Sequence, residues 1–266
     1  MSNPFITEIL EQPNDPLGGA SGRKRVFSVE FIGKTNNDDF PFTVANEVVA
    51  AQLGITLGLN IPSVLTHPLE SETVALIQRI DRDPSMQAGP QATSKRLAEY
   101  VAANSSEIHG AIVFDLFVAN NDRAFGPERR NLMLDKRGKL LLYDFGNACF
   151  YRNRPSRGIV AGTPRLDAIE HDFSALFDMD HKENHYREFL SDWELVDYWC
   201  DRIQSLPDFV IESAIERIPA DLLRPTHEER KRLIEFLCRR KLSLKQQIER
   251  HPDCFMGLPK RMENQS

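Results

Sequence analysis

Four cysteines occur in this 266-residue chain, and none forms a C-x-x-C pair: Cys149, Cys200, Cys238 and Cys254 are irregularly spaced. That excludes a zinc framework and argues against a disulfide scaffold, so reduced cysteines of a cytosolic protein are expected. Cys149 reads as a small buried hydrophobe. No apolar run approaches the roughly 20 residues needed to cross a bilayer. The N-terminus lacks a signal-peptide pattern, so neither export nor membrane attachment is expected. A sustained basic block is missing too, and the net charge is −6. Nucleic acid is therefore not expected as a direct partner, and Arg129-Arg130 and Arg239-Arg240 read as a solvated loop and a helix face. His181 and His185 lie four apart, but no third ligand accompanies them, so they read as surface residues. No internal repeat is present. What remains is 41% hydrophobic and 27% charged, enough for one large domain or two packed lobes.

The most informative stretch runs from residue 121 to 146. It holds Asn121-Asp122-Arg123, then Asn131-Leu132-Met133-Leu134, then Leu141-Leu142-Tyr143-Asp144-Phe145-Gly146. Two apolar runs, Asn131–Leu134 and Leu140–Tyr143, read as strands of a hairpin. Asp135-Lys136-Arg137-Gly138 reads as its turn, with Gly138 supplying a positive φ. A hairpin returns its ends to one edge, so Asn131 and Asp144 are expected together, with Asp122 just upstream. Mg²⁺ takes one or two side-chain oxygens plus phosphate oxygens and water, so one Asn and one Asp suffice. Asp122 then remains to orient an attacking hydroxyl and accept its proton.

Phe114-Asp115 through Phe150, Ala45-Asn46-Glu47-Val48-Val49-Ala50, Leu53-Gly54 and Gly58-Leu59-Asn60-Ile61-Pro62 resemble the HipA-like kinases. The chain looks closest to their short members, which lack a separate N-terminal domain. The resemblance implies an α+β, bilobal, protein-kinase-like fold with a small, mostly β N-lobe carrying one helix and a larger helical C-lobe. It implies Mg²⁺-dependent transfer of the γ-phosphoryl group of ATP to a protein Ser or Thr hydroxyl. Asp122 matches the catalytic position, and Asn131 and Asp144 match the metal ligands. An antitoxin-type protein is an implied partner. Two departures stand out. The gap from Asp122 to Asn131 is four residues longer than in the family. The strand expected to carry the nucleotide-binding lysine, Val26–Phe31, has Glu30 instead, leaving Lys34 beyond its end or Lys24 before it. Pseudokinase, interaction scaffold and small-molecule or lipid kinase compete with the leading reading.

Residues 1–83 read as the N-lobe, 84–94 as a polar linker, 95–258 as the C-lobe and 259–266 as a disordered tail. Phe5–Leu10 and Arg25–Ile32 read as strands. Between them, Gly18, Gly19, Ser21 and Gly22 offer backbone that can approach phosphates closely. Thr43–Leu57 reads as a helix capped by Thr43, with Glu47 positioned to pair with a strand lysine. Leu76–Asp81 reads as the last strand of the lobe. In the family such a strand leads to the hinge against adenine, which makes Gln78 a candidate nucleotide contact. Helices are expected over Lys95–Ala103, Glu107–Val118, Asp192–Ile203, Asp208–Ile218 and Thr226–Glu249. The last opens on a capping box, Thr226 with Glu229. Trp193 and Trp199 read as packing residues.

Overall fold

At Glu30 the chain changes partners, and that switch organises the smaller half of the molecule. In the computed structural model Ile6–Ile9 (β1) pairs antiparallel with Val26–Val29 (β2). Phe31–Thr35 (β3) pairs instead with Glu72–Gln78 (β5), from Phe31 opposite Gln78 to Thr35 opposite Val74. The single strand expected over Arg25–Ile32 is thus two. Glu30 marks the break: its carbonyl accepts from Arg79 N–H at 3.0 Å, and its carboxylate meets Arg79 Nη1 at 2.6 Å. Gly33 and Lys34 are weak strand formers, carried here by their pairing with Leu76 and Ala75. A Cβ on Gly33 would stand 2.9 Å from Val74 Cγ1, so glycine permits the close approach. Val64–Leu69 (β4), not anticipated from the sequence, flanks β5 on its other side. It is an edge strand, where Pro68 removes no ladder donor the sheet needs.

The structure describes residues 6–9, 26–69, 72–81, 99–120, 123, 132–151, 162–176 and 189–260. Gly18, Gly19, Ser21, Gly22, Asp122, Asn131, the 84–94 linker, the histidine pair and residues 261–266 lie outside them.

Thr43–Thr56 (α1) follows β3 and is buried from Val44 through Ala51. Its N-cap is Phe42 rather than Thr43, whose hydroxyl instead donates to Phe40 O at 3.2 Å. The first turn is satisfied from a distance, as Val44 N–H donates to Asn36 Oδ1 at 2.9 Å. Ser105–Phe117 (α2) is buried from Ile108 onward. Leu132–Leu134 (β6) and Leu140–Leu142 (β7) form the expected hairpin, with Gly138 at φ +75°. Asp135 Oδ1 accepts the N–H groups of Arg137 and Lys139 and fixes the turn.

Thr163–His171 (α3) is followed, among the described residues, by three further α-helices. Among them are Trp193–Gln204 (α4), capped by Asp192 on Glu194 N–H, and Asp208–Glu216 (α5). His227–Arg250 (α6) begins with the full Thr226/Glu229 capping box. Of the arginine pair on α6, Arg239 is exposed but Arg240 is fully buried, which corrects the solvated-face reading. One main core joins α1, α2, the hairpin and α3–α6. No helix among the described residues is long and apolar enough to cross a membrane.

Gly110 lets α2 and α4 meet. A Cβ there would lie 2.3 Å from Trp199 Cε2, while Trp199 Nε1 donates to Ser106 O at 2.8 Å. Gly110→Ala gains up to about 1 kcal/mol of helix propensity, but forces the indole to move, and overpacking costs about 1–3 kcal/mol or more. A net loss of about 2 kcal/mol is expected in urea unfolding; an unchanged midpoint would show that the indole shifts freely.

Candidate active site

Lys34 sits inside β3, not beyond its end, because that strand continues past Glu30 along β5. Opposite it is Ala75, on the face of the sheet that α1 covers with Val44 and Val48. From there Lys34 Nζ donates to Glu47 Oε1 at 2.6 Å and to Asp144 Oδ1 at 2.8 Å. Three separated segments thus meet at one ammonium. Glu30 faces elsewhere, on Arg79, and the apparent replacement of the lysine by glutamate disappears.

Glu47 is 2% exposed. Burial pushes its carboxyl above the ordinary value, opposed by Lys34 and by Phe145 N–H, which donates to the same Oε1 at 3.1 Å. Burial likewise disfavours the Lys34 ammonium, but Glu47 and Asp144 outweigh it and hold its pKa above the usual one. Asp144 is about half exposed. Burial resists its ionisation, yet Lys34, the Gly146 N–H at 3.4 Å and the charge of Arg123 bring its pKa below the ordinary value. Its backbone is left-handed, at φ +62°, a conformation Asp tolerates better than most residues. Asp144 Oδ2 accepts no hydrogen bond among the described residues. A half-exposed ionised carboxylate with a free oxygen suits a hard divalent cation.

Backbone around Asp144 is held by buried arginines. Arg123 makes a bidentate pair with Asp115, Nε to Oδ2 at 2.7 Å and Nη2 to Oδ1 at 2.9 Å. It also donates to Tyr143 O and lies 4.6 Å over the Phe145 ring. Asn120 Nδ2 completes the Asp115 carboxylate at 2.8 Å. Ala119, Cys149 and Tyr151 all have positive φ. Arg165, 2% exposed, donates to the carbonyls of Ala119 and Cys149 and stacks on Tyr151. Arg240 donates twice to Leu116 O at the end of α2. Backbone strain of this kind persists only where the surroundings over-determine it. Cys149 is buried, its thiol pushed up to about 12, and has no nucleophilic character.

Asp115 was not singled out from the sequence, although a charge inside an apolar helix run signals a buried partner. Nothing in the sequence marks Arg165 or Arg240. Gln78 ends β5; its backbone N–H meets Ser63 O at 2.9 Å and its carbonyl accepts from Tyr143 Oη at 3.4 Å, but it makes no hydrogen bond to Lys34, Glu47 or Asp144. The neighbourhood of Asp122 and Asn131 is represented by Asn120, Arg123 and the hairpin that follows.

A strand lysine paired with a helix glutamate, next to an Asp-Phe-Gly turn at the end of a hairpin, characterises protein-kinase-like folds. The molecule has that bilobal α+β fold. The kinase CtkA of Helicobacter pylori, described as proinflammatory, shares it with a TM-score of 0.53 at 14% identity, over 91% of this chain and 94% of that one. HipA of the Shewanella oneidensis MR-1 toxin–antitoxin system, solved with HipB and operator DNA, aligns over 97% of this chain and 66% of that one, at 12% identity and a TM-score of 0.43. The kinase-like fold expected from the sequence is thus the fold shared with CtkA. In sequence the chain matches no family model and no curated protein.

Lys34→Met keeps the stem and removes the charge, leaving Glu47 buried without its counter-ion. Breaking such a pair costs about 3 kcal/mol. The loss of the ammonium pushes the Glu47 carboxyl further above its ordinary value of 4.5. A carboxyl whose folded pKa exceeds its unfolded one gains folded-state protons as pH falls, so stability rises toward acid pH. The deficit of Lys34→Met relative to the parent should therefore be larger at pH 8 than at pH 5 in denaturant unfolding. A deficit independent of pH would mean Glu47 stays ionised.

Proposed function

We propose that the chain is a HipA-like, ATP-dependent phosphotransferase acting on a protein Ser or Thr hydroxyl, working in the cytoplasm. The observation that carries the reading is the ammonium of Lys34 held between Glu47 and Asp144 in a kinase-like fold. In this reading Glu47 orients Lys34, which pairs with phosphate oxygens. Asp122 orients the acceptor hydroxyl and takes its proton as the bond to phosphorus forms. Mg²⁺ held by Asn131 and Asp144 would neutralise charge on the phosphates. The glycine-rich segment of Gly18, Gly19, Ser21 and Gly22 would cover them, and Gln78 would lie toward the base. The protein acceptor and an antitoxin-type partner follow from the resemblance in sequence. A second reading, nucleotide binding without efficient transfer, is favoured by one observation: nine positions separate Asp122 from Asn131.

Incubation with γ-labelled ATP and Mg²⁺ tests the activity, with label sought on the protein and in a lysate. Mg-ATP at about 100 times its dissociation constant should add roughly 2.7 kcal/mol to stability, and Asp144→Ala should abolish that gain. Asp122→Asn should keep the stabilisation and lose transfer by about 10²-fold or more. Stabilisation without transfer in the parent would favour the second reading. Absence of both would overturn the first two readings together.

A further inference from the structure

Residue 46 precedes the glutamate that holds Lys34, and its side chain reaches the same turn by a different atom. Asn46 is 1% exposed, and its Nδ2 donates to the carbonyl of Gly146 at 2.8 Å. Glu47 accepts from Phe145 N–H at 3.1 Å. Two consecutive residues of α1 thus grip the turn after Asp144, Glu47 at the N–H of Phe145 and Asn46 at the carbonyl of Gly146, whose own N–H donates to Asp144 Oδ1 at 3.4 Å. Gly146 lies in ordinary contact range of α1: a Cβ there would stand 3.5 Å from both Thr43 Cγ2 and Asp144 Oδ1, and 3.7 Å from Glu47 Oε1.

The amide of Asn46 is oriented by this one bond. Its Oδ1 is buried and has no partner. Turning the amide over would set oxygen against the Gly146 carbonyl, so the donor must face the turn. A buried acceptor left unpaired is costly, which makes asparagine a poor choice for packing alone. Asp144 gains from the grip. Its backbone is held at φ +62°, and the direction of its carboxylate follows from the peptide planes on either side. Lys34 restrains Oδ1 only; the placement of Oδ2 depends on the main chain.

We infer that Asn46 is a positioning residue, which aims the free oxygen of Asp144 at the metal by fixing the Gly146 carbonyl. This rests on the reading of Asp144 as a metal ligand. Groups that orient a ligand from behind change metal affinity by about 10–100-fold when removed. Asn46→Ala removes the unpaired acceptor but also leaves the Gly146 carbonyl without its donor, so the ligand-free fold is weakened and the effect on the metal is read separately from it.

The test is the thermal midpoint of the full chain at fixed ATP, titrated with Mg²⁺, beside the midpoint without ligand. The parent should show a saturable rise. Asn46→Ala should need about tenfold more Mg²⁺ to reach half of its own rise, measured from its own, lower ligand-free midpoint. Asn46→Leu, of the same branched shape but without the donor, should do the same and serves if the alanine variant fails to fold. In an Asp144→Ala background no Mg²⁺-dependent rise should appear, with or without the Asn46 substitution. A parental Mg²⁺ requirement retained in the Asn46 variants would overturn the inference while leaving the ligand reading intact. A rise that persists in Asp144→Ala and is shifted equally by Asn46→Ala would overturn the inference, because Asn46 would then act elsewhere. A parent indifferent to Mg²⁺ would remove the ligand reading and the inference with it.

Discussion

A carboxylate sealed from water cannot stay charged without partners, and the partners of Glu47 determine how the rest of the molecule is arranged. Its oxygen takes one proton donor from β3 and another from the turn after Asp144. Desolvation makes any loosening of these bonds costly. Strand, helix and turn are therefore held to one another by the need to satisfy a single group. Lys34 then carries the constraint outward to Asp144, where solvent begins.

The helix that bears Glu47 is itself enclosed. Leu222 packs with Val44, Val48 and Ala75, and Arg224 lies 5.0 Å over the Phe42 ring. Arg202 donates to Leu57 O at 2.7 Å at the other end of α1, and Thr73 Oγ1 meets Asp221 Oδ2 at 2.7 Å beyond it. Beneath, Gly54 packs against Ile61 and Phe114. A helix fixed on the sheet side, the core side and both ends has few ways to swing. The Lys34–Glu47 pair is consequently built into the packing of α1 against the sheet and the core.

What was legible in the sequence was local. The hairpin turn is defined by Gly138 and Asp135 within five residues of each other, and the caps of α4 and α6 by Asp192, Thr226 and Glu229 next to the helices they serve. Glu47 and Asp144 could be named because each sits in a short recognisable string. The register of β3 was not legible: Gly33 and Lys34 are weak strand formers, and only pairing with β5, some forty residues on, makes them extended. The cap of α1 escaped for the same reason, since Asn36 reaches Val44 across a loop rather than from the adjoining position. Arg165 and Arg240 gave no sign at all. Arginine on a helix ordinarily faces water, and their acceptors are main-chain carbonyls that leave no trace in side-chain patterns.

Arg240 has a consequence for the order in which the molecule is made. Its acceptor is the carbonyl of Leu116, and 124 positions of chain separate the two. During synthesis α2 and the hairpin leave the ribosome long before α6 exists. Until Arg240 emerges, the end of α2 lacks the guanidinium that completes it, and the segment running on to Asn120 is anchored from one side only. The contact is of very long range, the kind that forms late and slows folding. The candidate site is thus completed by α6, and a nascent chain halted before residue 240 carries every candidate active-site residue without the brace behind them.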